Sequence, residues 1–190
     1  ILGDSEEGLY ILRHSCAHLL AQAVTQLYPD AKPTIGPPID HGFYYDFAMD
    51  PIGDEELRQI EKGMKELVKQ NVPIEREELD NESLREIFSS NPFKLEIRDD
   101  KIGHDVGSSA YRQGDFIDLC KGPHVSLTSQ LRWFKLTSTS QAYWRADKDR
   151  ESLVRIYGMC YPSKDGLKER ERQIQELSLI HISEPTRQLC

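Results

Sequence analysis

The sequence predicts an α+β fold, an antiparallel sheet with packed helices. Two long segments, Gly8–Tyr28 and Asp54–Gln70, repeat apolar residues at helical spacing. Three later runs, Phe116–Cys120, Phe134–Thr139 and Leu153–Tyr161, read as strands. Helices and strands arrive in mixed order with hairpins, and no internal repeat is visible.

The first helix rests on Leu9, Leu12, Cys16, Leu19, Leu20, Ala23 and Leu27, and Pro29-Asp30 ends it. Lys32–Ile39 and Phe43–Phe47 then read as a hairpin turning at Asp40-His41-Gly42. The second helix places Leu57, Ile60, Met64, Leu67 and Val68 on one face. Its acidic first turn and terminal Lys69 complement the helix dipole. Asn71–Pro92 is charged and broken by two prolines. It reads as a short strand, a short helix around Ser83–Phe88, and a joint between two lobes. Arg98–Gly114, rich in Gly and Ser, reads as a loop. Lys164–Glu176 is a charge-laced helix with only Leu167 and Ile174 apolar, expected to be a solvated connector.

Residues 177–190 stand apart. Leu177–Arg187 spells LSLIHISEPTR, which resembles the translated adapter of a transposon-based sequencing library. His181 and Cys190 are therefore left out of all site reasoning. On that reading the natural chain is residues 1–176, part of a longer gene product.

The chain has 190 residues with 24 Lys+Arg against 32 Asp+Glu, a net charge of −8, and 38% hydrophobic residues. That balance fits a folded soluble protein and argues against a general polyanion-binding surface. No apolar run approaches the roughly 20 residues that span a bilayer, so no membrane partner is expected. Setting Cys190 aside leaves Cys16, Cys120 and Cys160. An odd count without a secretory signal suggests reduced thiols and a cytoplasmic location. Cys16, on the apolar stripe, reads as buried; Trp133 and Trp144 read as core.

The chemistry concentrates in two short motifs. His14-Ser15-Cys16-Ala17-His18 sets two imidazoles four residues apart, stacked on one helical face so that two ring nitrogens can converge on one atom. At about 100° per residue, with Leu12 at zero, the apolar stripe centres near roughly 40° and the two histidines fall near roughly 200° and 240°. They are expected to point away from the main core. The second motif is Phe116-Ile-Asp-Leu-Cys-Lys-Gly-Pro-His124. In a strand Asp118 and Cys120 share a side, and Gly122-Pro123 can turn His124 back toward Cys120. Together His14, His18, Cys120 and His124 supply three imidazoles and a thiol. That is a tetrahedral zinc ligand set. It is equally a set of proton donors and acceptors around a water.

At this point a family resemblance enters. HSCAHLLAQAV, IGPPIDHGFYYDF, DLCKGPHV, AYWRAD and RIYG resemble successive motifs of bacterial threonyl-tRNA synthetases, in the editing domain that precedes the catalytic core and is related to the second domain of alanyl-tRNA synthetases. The resemblance runs from about Gly8 to Glu176. It implies a fragment of a threonine–tRNA ligase whose activity is hydrolysis of seryl-tRNA, with the serine-bearing tRNA 3′ end as partner. It implies a homodimeric parent enzyme. Carried over by motif, His14, His18, Asp118, Cys120 and His124 are the catalytic candidates. Lys94 is a candidate for holding a phosphate or the water. Tyr45 shares the face of Phe43 and Phe47, where packing and stacking on the terminal adenine are the two readings. No cofactor is required for water-based hydrolysis; zinc is possible on the four-ligand set; ATP belongs only to the catalytic part outside this chain. The alternatives are a free-standing trans-editing deacylase and a non-catalytic zinc-stabilised RNA-binding module.

Overall fold

The computed structural model describes residues 5–102 and 107–183, with side chains described for 5–100 and 107–177. Helix α1 (Glu6–Leu27) starts at Ser5, whose hydroxyl accepts the Gly8 N–H at 3.1 Å, and carries Glu6 and Glu7 in its first turn. It crosses the first sheet. There β3 (Gly42–Ala48) lies between β8 (Ser152–Tyr161) on one side and two short strands, β1 (Lys32–Pro33) and β2 (Pro38–Ile39), on the other; β7 (Trp133–Tyr143) completes the sheet beyond β8. All pairings are antiparallel. The expected hairpin is therefore present, with its first arm split into two contacts, Lys32↔Ala48 and Ile39↔Gly42. Helix α2 (Asp54–Gln70) buries Ile60, Met64 and Leu67 against α1. The core joins these to Leu12, Leu19, Leu20, Phe43, Phe47 and Ile156. Truncating one such leucine, Leu20→Ala for example, would cost about 2–5 kcal/mol.

The second sheet is three antiparallel strands, β4 (Ile74–Leu79), β5 (Ser108–Gln113) and β6 (Phe116–Leu119), with β5 central. Gly114, at φ +59°, makes the tight β5–β6 turn that an L side chain would strain. This sheet is tied to α1 by a buried amide pair: Gln22 donates to the Gln113 carbonyl at 3.0 Å and accepts from the Gln113 side chain. Between β4 and β5 lie α3 (Asn81–Ile87), capped by Asp80 on the Ser83 N–H, and α4 (Pro92–Ile102).

The loop expected over Arg98–Gly114 is thus corrected at its two ends, to the end of α4 and the whole of β5, while residues 103–106 lie outside the described residues. Long-range packing overrides the local composition. Phe93 joins Trp144 and Leu153 in a small second cluster with Ile97 against it, and β5 pairs on both edges. Strand β7 also runs four residues past its expected end, because the β7–β8 ladder continues to Tyr143↔Ser152. Trp144 is buried, as expected, but Trp133 is only half-buried at the edge of the first sheet, with the Lys164 ammonium over its ring. Helix α5 (Lys164–Ser183) passes beyond the expected Glu176; the rest of the foreign-looking tail, 184–190, lies outside the described residues. Among the described residues no helix is long and apolar enough to cross a membrane.

Candidate active site

Helix α1 supplies His14 and His18 on adjacent turns. Strand β6 ends at Leu119, so Cys120 emerges directly beyond it. The chain then turns at Gly122, with φ +73°, and a Cβ there would come within 2.2 Å of the Tyr111 hydroxyl. That turn brings His124 back onto Cys120. The ligand atoms of His14, His18, Cys120 and His124 all lie within 4.8 Å of one another. The Cys120 sulfur is 3.4 Å from His14 Nε2 and 3.2 Å from His124 Nε2, and it accepts the Gly122 N–H at 3.2 Å. The His124 ring sits 4.3 Å from that of His14 and 4.2 Å from that of His18, centroid to centroid.

Asp118 joins the cluster from β6, on the side expected. It forms an ion pair with Lys94, accepts the Tyr45 hydroxyl at 2.5 Å, and faces His18 Nε2 at 3.7 Å. Lys94 donates to the Tyr45 hydroxyl at 2.8 Å. Lys94 reaches the site from the first turn of α4, which Asn91 anchors by donating to the Pro33 carbonyl and accepting the Lys94 N–H. Lys94 and Asp118 are 3% and 1% exposed. An ion pair this deep is worth keeping only where its polar atoms are matched, and here the Tyr45 hydroxyl bridges both partners.

His14 and His18 lie together outside the main hydrophobic core, but packed protein covers that face as well: His18 is 5% exposed. Helix α1 is covered on two faces, and the segment from β6 to Val125 closes over the histidine face. Tyr45 meets the site through its hydroxyl. Its ring is stacked on Phe47 at 5.0 Å, and the Gly36 backbone presses on it so closely that a Cβ there would fall 2.1 Å from the ring. An adenine has no access to those faces. Ser15 escaped the sequence reading: wholly buried between the histidines, it contacts His124 Nδ1 at 3.0 Å. Its only sequence signal is a small polar residue inside the HxxxH motif.

Burial governs the protonation of the cluster. It pushes the His14 and His124 imidazoles below their ordinary value and His18 far below, with neighbouring histidines adding to the shift in the last two. Burial raises the Cys120 thiol to about 11 and holds the Tyr45 phenol protonated. At neutral pH the site is three neutral imidazoles and a thiol beside one compensated ion pair. A cleft of about 270 Å³ opens onto His14, His18, Cys120, Tyr45, Lys94 and Asp118. A larger cavity of about 770 Å³ lies between the end of α1 and the start of α2, and its lining includes no histidine or cysteine.

Fold and motif define a class of protein. Residues 109–157 match the family described as threonyl and alanyl tRNA synthetase second additional domain, and the α+β architecture agrees. More particularly, over about nine-tenths of its length the chain is similar to threonine–tRNA ligases. It is 47% identical over 177 residues to the threonine–tRNA ligase of Rubrobacter xylanophilus, covering 93% of this chain and 27% of that protein. It is 49% identical over 172 residues to that of Thermoplasma acidophilum (90% and 26%) and 47% over 174 residues to that of Chlamydia trachomatis (91% and 27%). The chain therefore spans about a quarter of the length of these relatives.

Proposed function

We propose that this chain is the proofreading part of a threonine–tRNA ligase, hydrolysing the ester of seryl-tRNA at the 3′-terminal ribose. The reading takes the tRNA 3′ end as partner, the cytoplasm as location and a homodimer as the parent enzyme. The observation that supports it is the convergence of α1, β6 and α4 on one small cleft holding both titratable and charged groups. The activity has a physical reason. Serine differs from threonine by one methyl, which changes binding by only about 1–3 kcal/mol, too little for faithful selection. A second, hydrolytic site can admit serine, exclude threonine and restore fidelity.

The residues divide the work. His14, half-buried and lining the cleft, accepts a proton from water as that water adds to the ester carbonyl. The intermediate collapses, the bond between carbonyl carbon and ribose oxygen breaks, and the proton passes to the departing 3′ oxygen. Burial favours this by keeping the imidazole neutral and ready to accept. His18, Cys120 and His124 fix the His14 ring. Lys94 and Asp118 provide fixed charge toward the oxyanion and the ammonium of the amino acid.

The donor set also fits zinc, since three imidazole nitrogens and one sulfur lie close enough to share an ion. His14, His18, Cys120 and His124 would hold it, and it would supply Lewis-acid polarisation. With all four engaged, however, its tetrahedral shell would be closed. The metal-free account is the one proposed here, because Lys94 and Asp118 already supply charge beside the cleft. Chelator-treated protein is expected to keep its deacylase activity; stoichiometric zinc, with activity lost on chelation and restored by zinc, would overturn the metal-free account. The central test is a deacylation assay with seryl- and threonyl-tRNA. Faster release of serine is expected. Rates no faster than buffer for both, at high enzyme concentration, would sink the reading and favour the non-catalytic RNA-binding alternative.

A further inference from the structure

We infer that Ser15 is a positioning residue that locks His124 in the tautomer carrying its proton on Nδ1, so that Nε2 faces Cys120 as a bare acceptor. This deepens the hydrolase reading of the same site, yet it stands on geometry alone. Ser15 is wholly buried on α1. A hydroxyl has one proton to give and two lone pairs to receive with. The shortest contact of Ser15 Oγ is 2.8 Å to the carbonyl of Ile11, four residues back along the helix. That carbonyl can only accept, so the hydroxyl proton goes there, the familiar back-bond of a helical serine. The Val125 N–H points at the same oxygen from 3.0 Å and can only donate. One lone pair remains, and His124 Nδ1 lies 3.0 Å from the oxygen. For all three contacts to be satisfied at once, Nδ1 must bear the hydrogen.

A second contact agrees. His124 Nε2 lies 3.2 Å from the Cys120 sulfur. A cysteine S–H at that distance can donate to a bare Nε2. The sulfur meanwhile accepts the Gly122 N–H at 3.2 Å. The relay thus runs from the backbone of α1, through Ser15 and His124, to the thiol beside His14. The opposite tautomer would leave the Ser15 oxygen facing a bare Nδ1, with no proton between them. Buried polar contacts of that kind are costly to leave unmatched. Val125 also pins the turn after Gly122-Pro123 to α1 through the same oxygen, so one hydroxyl sets both the position and the tautomer of His124.

The test is long-range proton–nitrogen correlation NMR on the histidine-labelled chain, chelator-treated, at neutral pH. His124 is assigned by the signal lost in His124→Asn. The wild-type spectrum should show one protonated nitrogen, Nδ1, and one bare nitrogen, Nε2. In Ser15→Ala both nitrogens should move toward intermediate shifts, as the tautomers mix, and Ser15→Thr should restore the single form. Seryl-tRNA deacylation by Ser15→Ala should fall about 3- to 10-fold in kcat with KM unchanged. A protonated Nε2 in the wild type, or an unchanged tautomer in folded Ser15→Ala, would overturn the inference. If Ser15→Ala does not fold, the wild-type spectrum alone decides. The Nδ1–H form in a chain without deacylase activity would fail the hydrolase reading and leave the role of Ser15 standing.

Discussion

Lys94 is an amine buried at 3% exposure whose ammonium meets Asp118 and the Tyr45 hydroxyl. Removing the cation leaves a buried carboxylate uncompensated, which typically costs about 3–5 kcal/mol. Lys94→Met is therefore expected to lose that much in denaturant unfolding and to lose seryl-tRNA deacylation. The double change Lys94→Met with Asp118→Asn removes the stranded charge. It should recover most of the stability and none of the activity; recovery of activity would show that the pair only holds the fold. At this scale much of the site was legible. HxxxH on a helix and Cys-Lys-Gly-Pro-His after a strand are local geometries, and local geometry is what spacing encodes. The depth of Lys94 and the covered ring of Tyr45 were not, because both depend on where α4 and the Gly36 segment dock. Ser15 was overlooked since its role needs Val125 and His124, more than a hundred residues away.

Helix α4 shows the same division among elements. Its sequence, rich in charge and followed by Gly and Ser, gives little helical signal. Its stability comes from outside: Phe93 packs on Trp144, and Glu96 accepts from the Trp144 indole and from both guanidinium nitrogens of Arg150, with Arg145 beside it. These partners hold the Glu96 carboxyl down to about 2. A carboxyl lowered on folding adds stability above its unfolded value, near 4.5, and loses it as pH falls through the folded value. The full shift would be worth about 3 kcal/mol; partial exposure and screening reduce this to about 1 kcal/mol. Glu96→Gln should thus be about 1 kcal/mol less stable than wild type at pH 7, and the gap should close between pH 5 and pH 2. Denaturant titrations along that range measure it. A gap constant with pH would mean the loss is one of packing rather than charge. By contrast α2, with a clear apolar face, was legible residue for residue, because it docks by the stripe its own sequence displays.

At the scale of the whole molecule, the antiparallel α+β class was legible from element order, while the arrangement of two sheets around one helix was not. Helix α1 is buried on nearly every side, so its stripe could not say which face met which sheet. Where the fold ends is a further question, and α5 supplies the argument. Its first half is fastened to the first sheet: Lys135 on β7 pairs with Glu171, and Ser163 accepts the Gly166 N–H at the start. After that, Ile174 and Leu177 are 42% and 52% exposed, so the helix there buries little apolar surface. We propose that the folded unit is residues 1–176 and that residues 177–190, read from the sequence as an adapter translation, add nothing to it. A chain ending at Glu176 should then melt within about 2 °C of the full chain and release serine at the same rate. For a protein of this size about 1 kcal/mol shifts the midpoint by roughly 2–4 °C. A fall larger than that range would place the tail in the folded unit, with contacts that stabilise α5 against the sheet.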